Sequence, residues 1–358
     1  MDTKIRTGIA YHNDYLKHDT GTHPECKERL IVIMKAIENN KINKRIVNIF
    51  NKNHEIDKKL IVNQIELVHN LKYIKYIQEL SNKEWGILDS DTIISKDSYD
   101  ASLRAVDGII SSIDAIMDGM ANAFVLARPP GHHAFSNRGS GFCIFNNIAI
   151  GARYAQKKYN LKKVLIVDWD VHHGNGTQDI FYDDSSVLYF STHQSIGYPG
   201  TGKINEVGAN KGIGFNINIP MPMGVGDAEF VQVFKDILVP IALEFNPDIV
   251  LISAGQDTHA KDHLGGMNMT ELGFKQLASI VKYIADLTAK GKMVAVLEGG
   301  YNLDALSASV INILDSFIEK DANFKNSLND NDFKKNHNGI FEFISEIKQI
   351  QKKYWKSL

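Results

Sequence analysis

Short runs of apolar residues rich in Val and Ile recur along this chain, and each run is too short to form a helix of ordinary length. Nearly continuous apolarity over such short lengths is typical of strands that are buried on both faces, as in a parallel sheet. The clearest runs are Ala123–Ala127, Val164–Asp168, Val187–Phe190, Phe215–Ile219, Ile249–Ser253 and Met293–Leu297.

Amphipathic stretches with the apolar spacing of helices lie between these runs: Tyr99–Met117, Asn146–Lys158, Glu229–Phe245 and Leu272–Lys290. This alternation predicts an α/β fold with helices on both faces of the sheet. Because there is no internal repeat or Pro/Gly/Ser-rich linker, we expect a single domain over residues 1–358 with a core from about 8 to 315. Residues 319–358 then comprise a polar stretch, Glu319–Asn338, and a final helical candidate, Ile340–Lys353, which is either docked or flexible.

The composition excludes several classes of protein. A hydrophobic content of 44% and a charged content of 23% are ordinary for a globular protein, and a net charge of -2 argues against a general nucleic-acid or membrane-surface binder. Cys26 and Cys143 are the only cysteines, which argues against a disulfide framework. Since we find neither a signal peptide nor an apolar run long enough to span a bilayer, we expect a cytoplasmic protein with no nucleic-acid or membrane partner.

Two histidine pairs follow predicted strands, in the segments RPPGHHA at 128–134 and DWDVHHGNG at 168–176. Asp257 and Tyr301 follow two later strands. Ligands of such sheets bind beyond the carboxyl ends of the strands, so these side chains are expected to meet there. Imidazoles and carboxylates bind metals and move protons near neutral pH, which favours a metal-assisted hydrolase.

The spacing of Asp168, Asp170 and His172 places them on one face of an extended backbone. Asp170 and His172 together with Asp257 would form a three-ligand site with an open position, which is the pattern of catalytic zinc. Iron(II) fits the same nitrogen and oxygen ligands. In isolation such a motif also occurs as a strand-end turn with solvated carboxylates.

Adjacent histidines cannot easily bind one ion from a regular element, so His132 and His133 are predicted to be a proton-transfer pair. The competing interpretation is two partly buried structural histidines. Tyr301 follows the glycine pair Gly299-Gly300, where a phenol can donate a hydrogen bond to a developing oxyanion. Taken alone, this pattern favours a packed tyrosine over a hydrogen-bond donor.

Three further patterns are interpreted as structural. Gly197–Lys203 has the spacing of a phosphate loop, but Ile204 stands where Ser or Thr is needed, and no helical stretch follows. The segment from His259 to His263 lacks the glutamate of a zinc protease and is predicted to be a loop. Cys143 has apolar neighbours and is predicted to be buried rather than nucleophilic.

Together these motifs resemble the histone deacetylase and acetylpolyamine amidohydrolase superfamily, over about residues 8–304. The matching segments are RPPGHHA at 128–134, GFCIFNN at 141–147, DWDVHHGNGT at 168–177, SAGQDTH at 253–259 and LEGGYN at 297–302. The residues in these segments resemble those of class II enzymes and their prokaryotic relatives more than those of class I enzymes. The resemblance implies an arginase-like single domain with a mainly parallel central sheet of about eight strands.

The resemblance also implies roles. The implied zinc ligands are Asp170, His172 and Asp257. The implied catalytic residues are His133 as general base and then acid, His132 as its electrostatic partner, and Tyr301 as the carbonyl clamp. Asp168 would accept a hydrogen bond from His132, and Asn175 would orient His133. The implied acyl-lysine channel comprises Gly141, Phe142, Tyr198 and Leu264. A structural potassium site is implied at Asp168, Asp170, His172, Ser191 and Thr192.

We therefore expect a zinc-dependent amidohydrolase that removes acetyl or short acyl groups from lysine side chains of proteins or peptides. One alternative is a deacetylase of polyamines or other small acetylated amines. Leu264 argues against it, because a glutamate at that position accompanies polyamine preference in a related branch, although His263 replaces the usual proline beside it. A different alternative is a non-catalytic acyl-lysine reader. The sequence does not indicate an oligomeric state.

Overall fold

The fold is built on one eight-stranded parallel sheet, as predicted. The computed structural model describes residues 6–50, 54–319 and 339–358. The strands of the main sheet are β1 (Thr7–Ala10), β2 (Ile46–Asn48), β5 (Asn122–Val125), β6 (Val164–Asp168), β7 (Val187–Gln194), β8 (Asn216–Met221), β9 (Ile249–Ala254) and β10 (Met293–Leu297), and a separate hairpin comprises β3 (Trp85–Ile87) and β4 (Ile93–Ser95). The eight strands of the main sheet are arranged in the order β2-β1-β5-β10-β9-β6-β7-β8, and every neighbouring pair is parallel.

Helices connect and cover these strands. The α-helices are α1 (Glu28–Asn39), α2 (Lys58–Ile65), α3 (Leu71–Asn82), α4 (Ser98–Met117), α5 (Asn147–Tyr159), α6 (Asn175–Phe181), α7 (Asp227–Val233), α8 (Val239–Phe245), α9 (Glu271–Thr288), α10 (Leu303–Ile318) and α11 (Ile340–Gln351). The strands β5, β6, β9 and β10 are buried at every position, which explains why they lack polar alternation. The prediction of a single α/β domain is therefore confirmed.

The six predicted strands coincide with β5 to β10, with shifts of a few residues at their ends. Strand β2 was not predicted, because it is a short edge strand that is partly exposed and its apolar stretch is interrupted by Asn48. The stretch Glu229–Phe245 is not one regular helix, which corrects the prediction. A π-helical turn at Phe234–Leu238 separates α7 from α8, and the N–H of Val239 donates to the carbonyl of Phe234. Pro240 follows this turn and has no N–H to continue the regular ladder.

The C-terminal helix α11 is docked on the domain. Its side chains Ile344 and Ile347 are buried, and the indole Nε1 of Trp355 donates to the carbonyl of Gly214 at 2.9 Å. Of the predicted polar stretch Glu319–Asn338, residues 320–338 lie outside the described residues. The boundaries proposed for the core and the tail stay a prediction. Among the helices of the described ranges, none is both long and apolar enough to cross a bilayer.

The order of the strands determines where the motifs meet. Strands β5, β10, β9 and β6 are neighbours at the centre of the sheet, and they run in one direction. The loops after their carboxyl ends carry the two histidine pairs, Asp257 and Tyr301. Residues that are far apart in sequence are thereby brought to one edge of the sheet.

Candidate active site

A cavity of about 200 Å³ opens at this edge. Its lining includes eight of the predicted site residues, namely His132, His133, Gly141, Phe142, His172, Tyr198, Leu264 and Tyr301. The structure thus brings together the predicted proton-transfer pair, one predicted metal ligand, the predicted channel residues and the predicted carbonyl clamp.

The predicted metal ligands Asp170, His172 and Asp257 form one cluster, in which the candidate ligand atoms lie within 4.8 Å of one another. The His172 Nδ1 atom is 3.1 Å from Asp170 Oδ1 and 3.3 Å from Asp257 Oδ2. Backbone groups orient both carboxylates, since the N–H of Gly299 donates to Asp170 Oδ2 at 2.8 Å and that of Val171 donates to Asp257 Oδ1 at 2.9 Å.

This cluster fits a divalent cation such as zinc. Asp257 Oδ2 is buried, and its contact with His172 Nδ1 at 3.3 Å is an ion pair without hydrogen-bond geometry. Among the described residues this oxygen therefore accepts no hydrogen bond, although a buried carboxylate oxygen normally does. Burial and the neighbouring Asp170 raise the pKa of Asp257 to about 7, so the two carboxylates repel each other unless a cation lies between them. One nitrogen and two carboxylate ligands are a donor set that zinc and iron(II) accept.

A second group, His132, Cys143 and Glu298, is also close enough for a metal by distance alone. It fits an ion less well. Both Glu298 oxygens already accept hydrogen bonds, from Ser253 Oγ and from the backbone N–H groups of Gly131 and His132. Burial raises the pKa of the Cys143 thiol well above its usual value, so the thiol stays protonated.

The paired histidines have different partners. His132 Nδ1 lies 3.0 Å from Asp168 Oδ2, and its Nε2 lies 3.8 Å from Asp170 Oδ1. His133 Nδ1 lies 2.9 Å from Asn175 Oδ1. The amide oxygen of Asn175 can only accept, so His133 Nδ1 carries the proton and its Nε2 carries the lone pair.

These surroundings separate the two pKa values. Burial alone would lower the pKa of His132, but the carboxylates of Asp168 and Asp170 outweigh it and raise the pKa to about 10. For His133, burial and the positive charges on His132 and His172 hold the pKa well below its usual value. The surroundings therefore favour the cationic form of His132 and the neutral form of His133, which is the arrangement that an electrostatic partner and a general base require.

Tyr301 lies against the channel. Its ring makes an edge contact with Phe142 at 5.7 Å between centroids, and the Arg29 guanidinium lies 5.0 Å from the ring centroid. Burial raises the pKa of the phenol well above 10, so the hydroxyl remains a hydrogen-bond donor at neutral pH.

Asp262, which was not predicted from the sequence, fixes two predicted site residues. Its Oδ2 accepts the backbone N–H of Tyr301 at 2.6 Å and that of Asn302 at 3.0 Å, while its Oδ1 accepts the N–H of Leu264 at 3.0 Å. The only sequence signal was an aspartate in a glycine-containing loop, where such side chains commonly accept backbone hydrogen bonds.

The predicted channel walls are Phe142 and Tyr198. Phe142 has a φ of 70°, and its N–H donates to Thr92 Oγ1 at 2.9 Å, which stabilises this unfavourable backbone conformation. The Tyr198 ring makes an edge contact with His133 at 5.0 Å. A Cβ on Gly141 would lie 2.5 Å from His133 Cδ2, so glycine allows the backbone to pass close to the imidazole.

Leu264 and Asp91 also line this cavity, and because both side chains are at least partly exposed we take them to mark its mouth. Leu264 is 38% exposed and offers only apolar surface. Asp91 was not predicted. Its Oδ1 has no hydrogen-bond partner within the described part of the chain, and burial together with Asp89 raises its pKa to about 6. The mouth therefore combines an apolar side with a carboxylate.

The residues predicted for potassium lie at the ends of β6 and β7. Asp168 and Ser191 are register neighbours and both are fully buried. Ser191 Oγ lies 2.9 Å from His193 Nδ1, and Thr192 Oγ1 is buried without a partner in the described ranges.

The three patterns interpreted as structural also behave as expected, since residues 197–203 and 259–263 are loops and Cys143 is buried.

A parallel α/β sheet brings together three candidate metal ligands, a histidine pair of opposite charge preference and a buried phenol, which is an arrangement typical of a hydrolase. The histone deacetylase domain model matches residues 23–317, so the chain belongs to the histone deacetylase family. Its homologues are named deacetylases, and the chain is accordingly a hydrolase of amide bonds.

Relatives cover nearly the whole chain. A protein of Archaeoglobus fulgidus named "Probable deacetylase" is 37% identical over 362 residues, covering 98% of this chain and 99% of that protein. Histone deacetylase 14, chloroplastic, of Arabidopsis thaliana is 37% identical over 324 residues, covering 86% of this chain and 75% of that protein. The crystal structure of the HDA15 HD domain matches with a TM-score of 0.87 and 33% identity, covering 99% of this chain and 96% of that one.

Proposed function

We propose that this protein is a zinc-dependent deacylase that hydrolyses acetyl or short acyl groups from lysine side chains of proteins or peptides. The observation that carries the proposal is the cluster of Asp170, His172 and Asp257, whose His172 lines the same cavity as His133 and Tyr301. The ligands, the base and the hydroxyl donor thus converge where a substrate carbonyl would lie.

When bound, zinc supplies Lewis acidity that polarises a carbonyl and makes water nucleophilic near neutral pH. The chain's own residues move the protons. The free Nε2 of His133 takes a proton from the attacking water and returns it to the leaving nitrogen as the C–N bond breaks, which yields a carboxylate and an amine. Cationic His132 stabilises the negative charge of the transition state, and the Tyr301 hydroxyl donates to the former carbonyl oxygen.

The substrate class is inferred from the channel. Phe142 and Tyr198 provide aromatic walls that suit the aliphatic part of an acylated lysine. Leu264 places no charge at the mouth on its side, so this side favours a lysine within a polypeptide over a free polyamine.

A small acetylated amine is the second candidate, and Asp91 is the observation that favours it. Its carboxylate lines the cavity and has an oxygen without a partner in the described residues, so it could pair with a second ammonium group of a polyamine. Asp91→Asn separates the two candidates, because it should weaken only substrates that carry a free ammonium near the mouth.

The test is steady-state turnover by zinc-loaded protein on an acetyl-lysine peptide, N-acetylputrescine and N8-acetylspermidine. We expect kcat/KM to be highest for the peptide. A preference for either polyamine, lost in Asp91→Asn, would transfer the assignment to the second candidate. Zinc binding without turnover on these or on longer acyl-lysine peptides would instead indicate a non-catalytic acyl-lysine reader.

We further propose a structural potassium ion beside Asp168, supported by the buried carboxylate, Ser191 and the unpartnered Thr192 Oγ1 in the described ranges. Thermal unfolding in potassium compared with tetramethylammonium buffers tests this, and equal Tm values would contradict it.

We also propose a cytoplasmic location without direct nucleic-acid binding, supported by the two free cysteines and the net charge of -2. Localisation of the tagged protein tests the compartment.

A further inference from the structure

Glu298 is a fully buried carboxylate directly behind the histidine pair, at the end of β10. Its Oε2 accepts the backbone N–H of Gly131 at 2.7 Å and that of His132 at 3.2 Å. Its Oε1 accepts a hydrogen bond from Ser253 Oγ at 3.2 Å. The proposed mechanism does not use this side chain.

The backbone beside Glu298 is bound to other parts of the site. Its carbonyl accepts a hydrogen bond from Arg29 Nη2 at 2.5 Å, and the next N–H, that of Gly299, donates to Asp170 Oδ2 at 2.8 Å. The side chain of Glu298 therefore joins the loop at residues 128–134, here called the histidine loop, to the segment that orients a candidate metal ligand.

Contacts on two sides determine the position of the histidine loop. The N–H groups of Gly131 and His132 are buried, and without Glu298 they would lose the acceptor that they share in the structure. The loop is also tightly packed on its other side, since a Cβ on Gly131 would lie 2.5 Å from the backbone nitrogen of Asn147. The position of the loop is thus set by Glu298 on one side and by the start of α5 on the other.

We propose that Glu298 is a positioning residue, whose side chain fixes the backbone at Gly131 and His132 so that the His132 imidazole stays between Asp168 and Asp170. The inference rests on the proposed function, because it concerns the geometry of the same histidine pair. Asp168 orients the ring of His132 from its Nδ1 atom, and Glu298 orients the backbone from which that ring extends.

The role depends on the placement of an oxygen and not on the charge of the carboxylate. Burial raises the pKa of Glu298 to about 7, so a neutral group is compatible with this position. A glutamine can direct its one oxygen to both N–H groups and its NH₂ to Ser253 Oγ. An aspartate keeps the charge, but its oxygen is one methylene further from the N–H groups.

The experiment compares Glu298→Gln with Glu298→Asp in the zinc-loaded protein. We expect Glu298→Gln to keep kcat within about threefold of the wild type, and Glu298→Asp to lower kcat about 10–100-fold with little change in KM, as for other outer residues that orient a metal site. Ser253→Ala is the matched control, because it removes the contact of the other oxygen and leaves both N–H contacts in place; we expect kcat to stay near the wild-type value.

A second measurement is independent of zinc and of turnover. In metal-free protein with ¹⁵N-labelled histidine, the backbone amide of His132 should exchange slowly with solvent in the wild type and in Glu298→Gln. It should exchange faster in Glu298→Asp, because the acceptor has withdrawn. A Tm measurement on each variant identifies any that fail to fold.

The pattern of activity decides the inference. Active Glu298→Asp with inactive Glu298→Gln would assign the effect to charge and overturn the positioning role, as would equal activity of both variants or unchanged amide exchange in Glu298→Asp. If Glu298→Asp fails to fold, the inference still requires normal activity and slow exchange in Glu298→Gln, and loss of either overturns it. An inactive wild type would count against the proposed function, and the amide exchange would then still test the contact.

Discussion

The Nδ1 atom of His133 lies 2.9 Å from the Oδ1 atom of Asn175, and this contact leaves the lone pair of Nε2 available to the attacking water. Removing the acceptor in Asn175→Ala should release the ring and lower kcat about 10–100-fold, while Asn175→Asp, which keeps an acceptor, should lose less. Steady-state kinetics on an acetyl-lysine peptide measures both. Equal kcat in the wild type and Asn175→Ala would show that the ring does not depend on Asn175.

The Tyr301 hydroxyl is predicted to act in the transition state more than in substrate binding. Tyr301→Phe removes one oxygen and keeps the ring contacts with Phe142 and Arg29. We expect kcat to fall about 10²–10³-fold with a small change in KM, as for loss of one oxyanion donor. Thermal unfolding should show an unaltered Tm. Near-full activity of this variant would refute the oxyanion role.

Asp257 is predicted to be needed for metal binding. Because its Oδ2 accepts no hydrogen bond among the described residues, Asp257→Ala should lower the zinc content after dialysis from about one ion per chain to nearly none. Elemental analysis measures the content directly. Asp262→Asn is the control, since Asp262 orients Tyr301 and Leu264 but is not in the cluster; it should retain zinc and lose activity. Full zinc content in Asp257→Ala would exclude Asp257 as a ligand.

Leu264 is predicted to influence the choice between peptide and polyamine. Leu264→Glu adds a carboxylate at the mouth, on the side where the wild type is apolar. We expect the ratio of kcat/KM for N8-acetylspermidine to that for the peptide to rise up to about fivefold, since an ion pair near a protein surface can contribute on the order of 1 kcal/mol. Leu264→Gln is the uncharged control. An identical ratio in both variants would mean that charge at this position does not select the substrate.

Stability is predicted to fall in mild acid through the buried histidines. His69 is almost fully buried, its Nε2 accepts the N–H of Asn146 at 2.9 Å, and burial lowers its pKa from 6.5 to about 3. The unfolded chain therefore binds more protons than the folded one below about pH 6.5, so stability is lost as pH falls toward the folded pKa.

For His69 alone, this loss amounts to about 2 kcal/mol between pH 7 and pH 5. Denaturant unfolding of the wild type and His69→Gln at both pH values measures it, because glutamine can keep the acceptor but does not titrate. The pH-dependent change in the free energy of unfolding should be smaller in His69→Gln by about this amount. Equal changes in the two proteins would show that His69 does not resist protonation.

The central strands, and the loops that carry the candidate metal ligands, could be predicted because the sequence patterns that indicate them are local. A fully buried parallel strand is an apolar run, and the site residues follow such runs directly. The contributions of Asp91, Asp262 and Glu298 could not be predicted, because each depends on backbone groups or a cavity supplied by distant segments. Glu298, for example, acts on N–H groups 167 and 166 residues away. The π-helical turn before Pro240 was missed for a different reason, since the apolar spacing on both sides of it still resembles one helix.

The most direct test of the account is the release of acetate from an acetyl-lysine peptide by metal-free protein, followed during stepwise addition of zinc or, anaerobically, iron(II). We predict no turnover before addition and a rise that saturates at about one ion per chain, with equal amounts of acetate and free lysine amine. Undiminished turnover by the metal-free protein, or none at saturating metal on any acylated amine, would contradict the proposed metal-dependent deacylation.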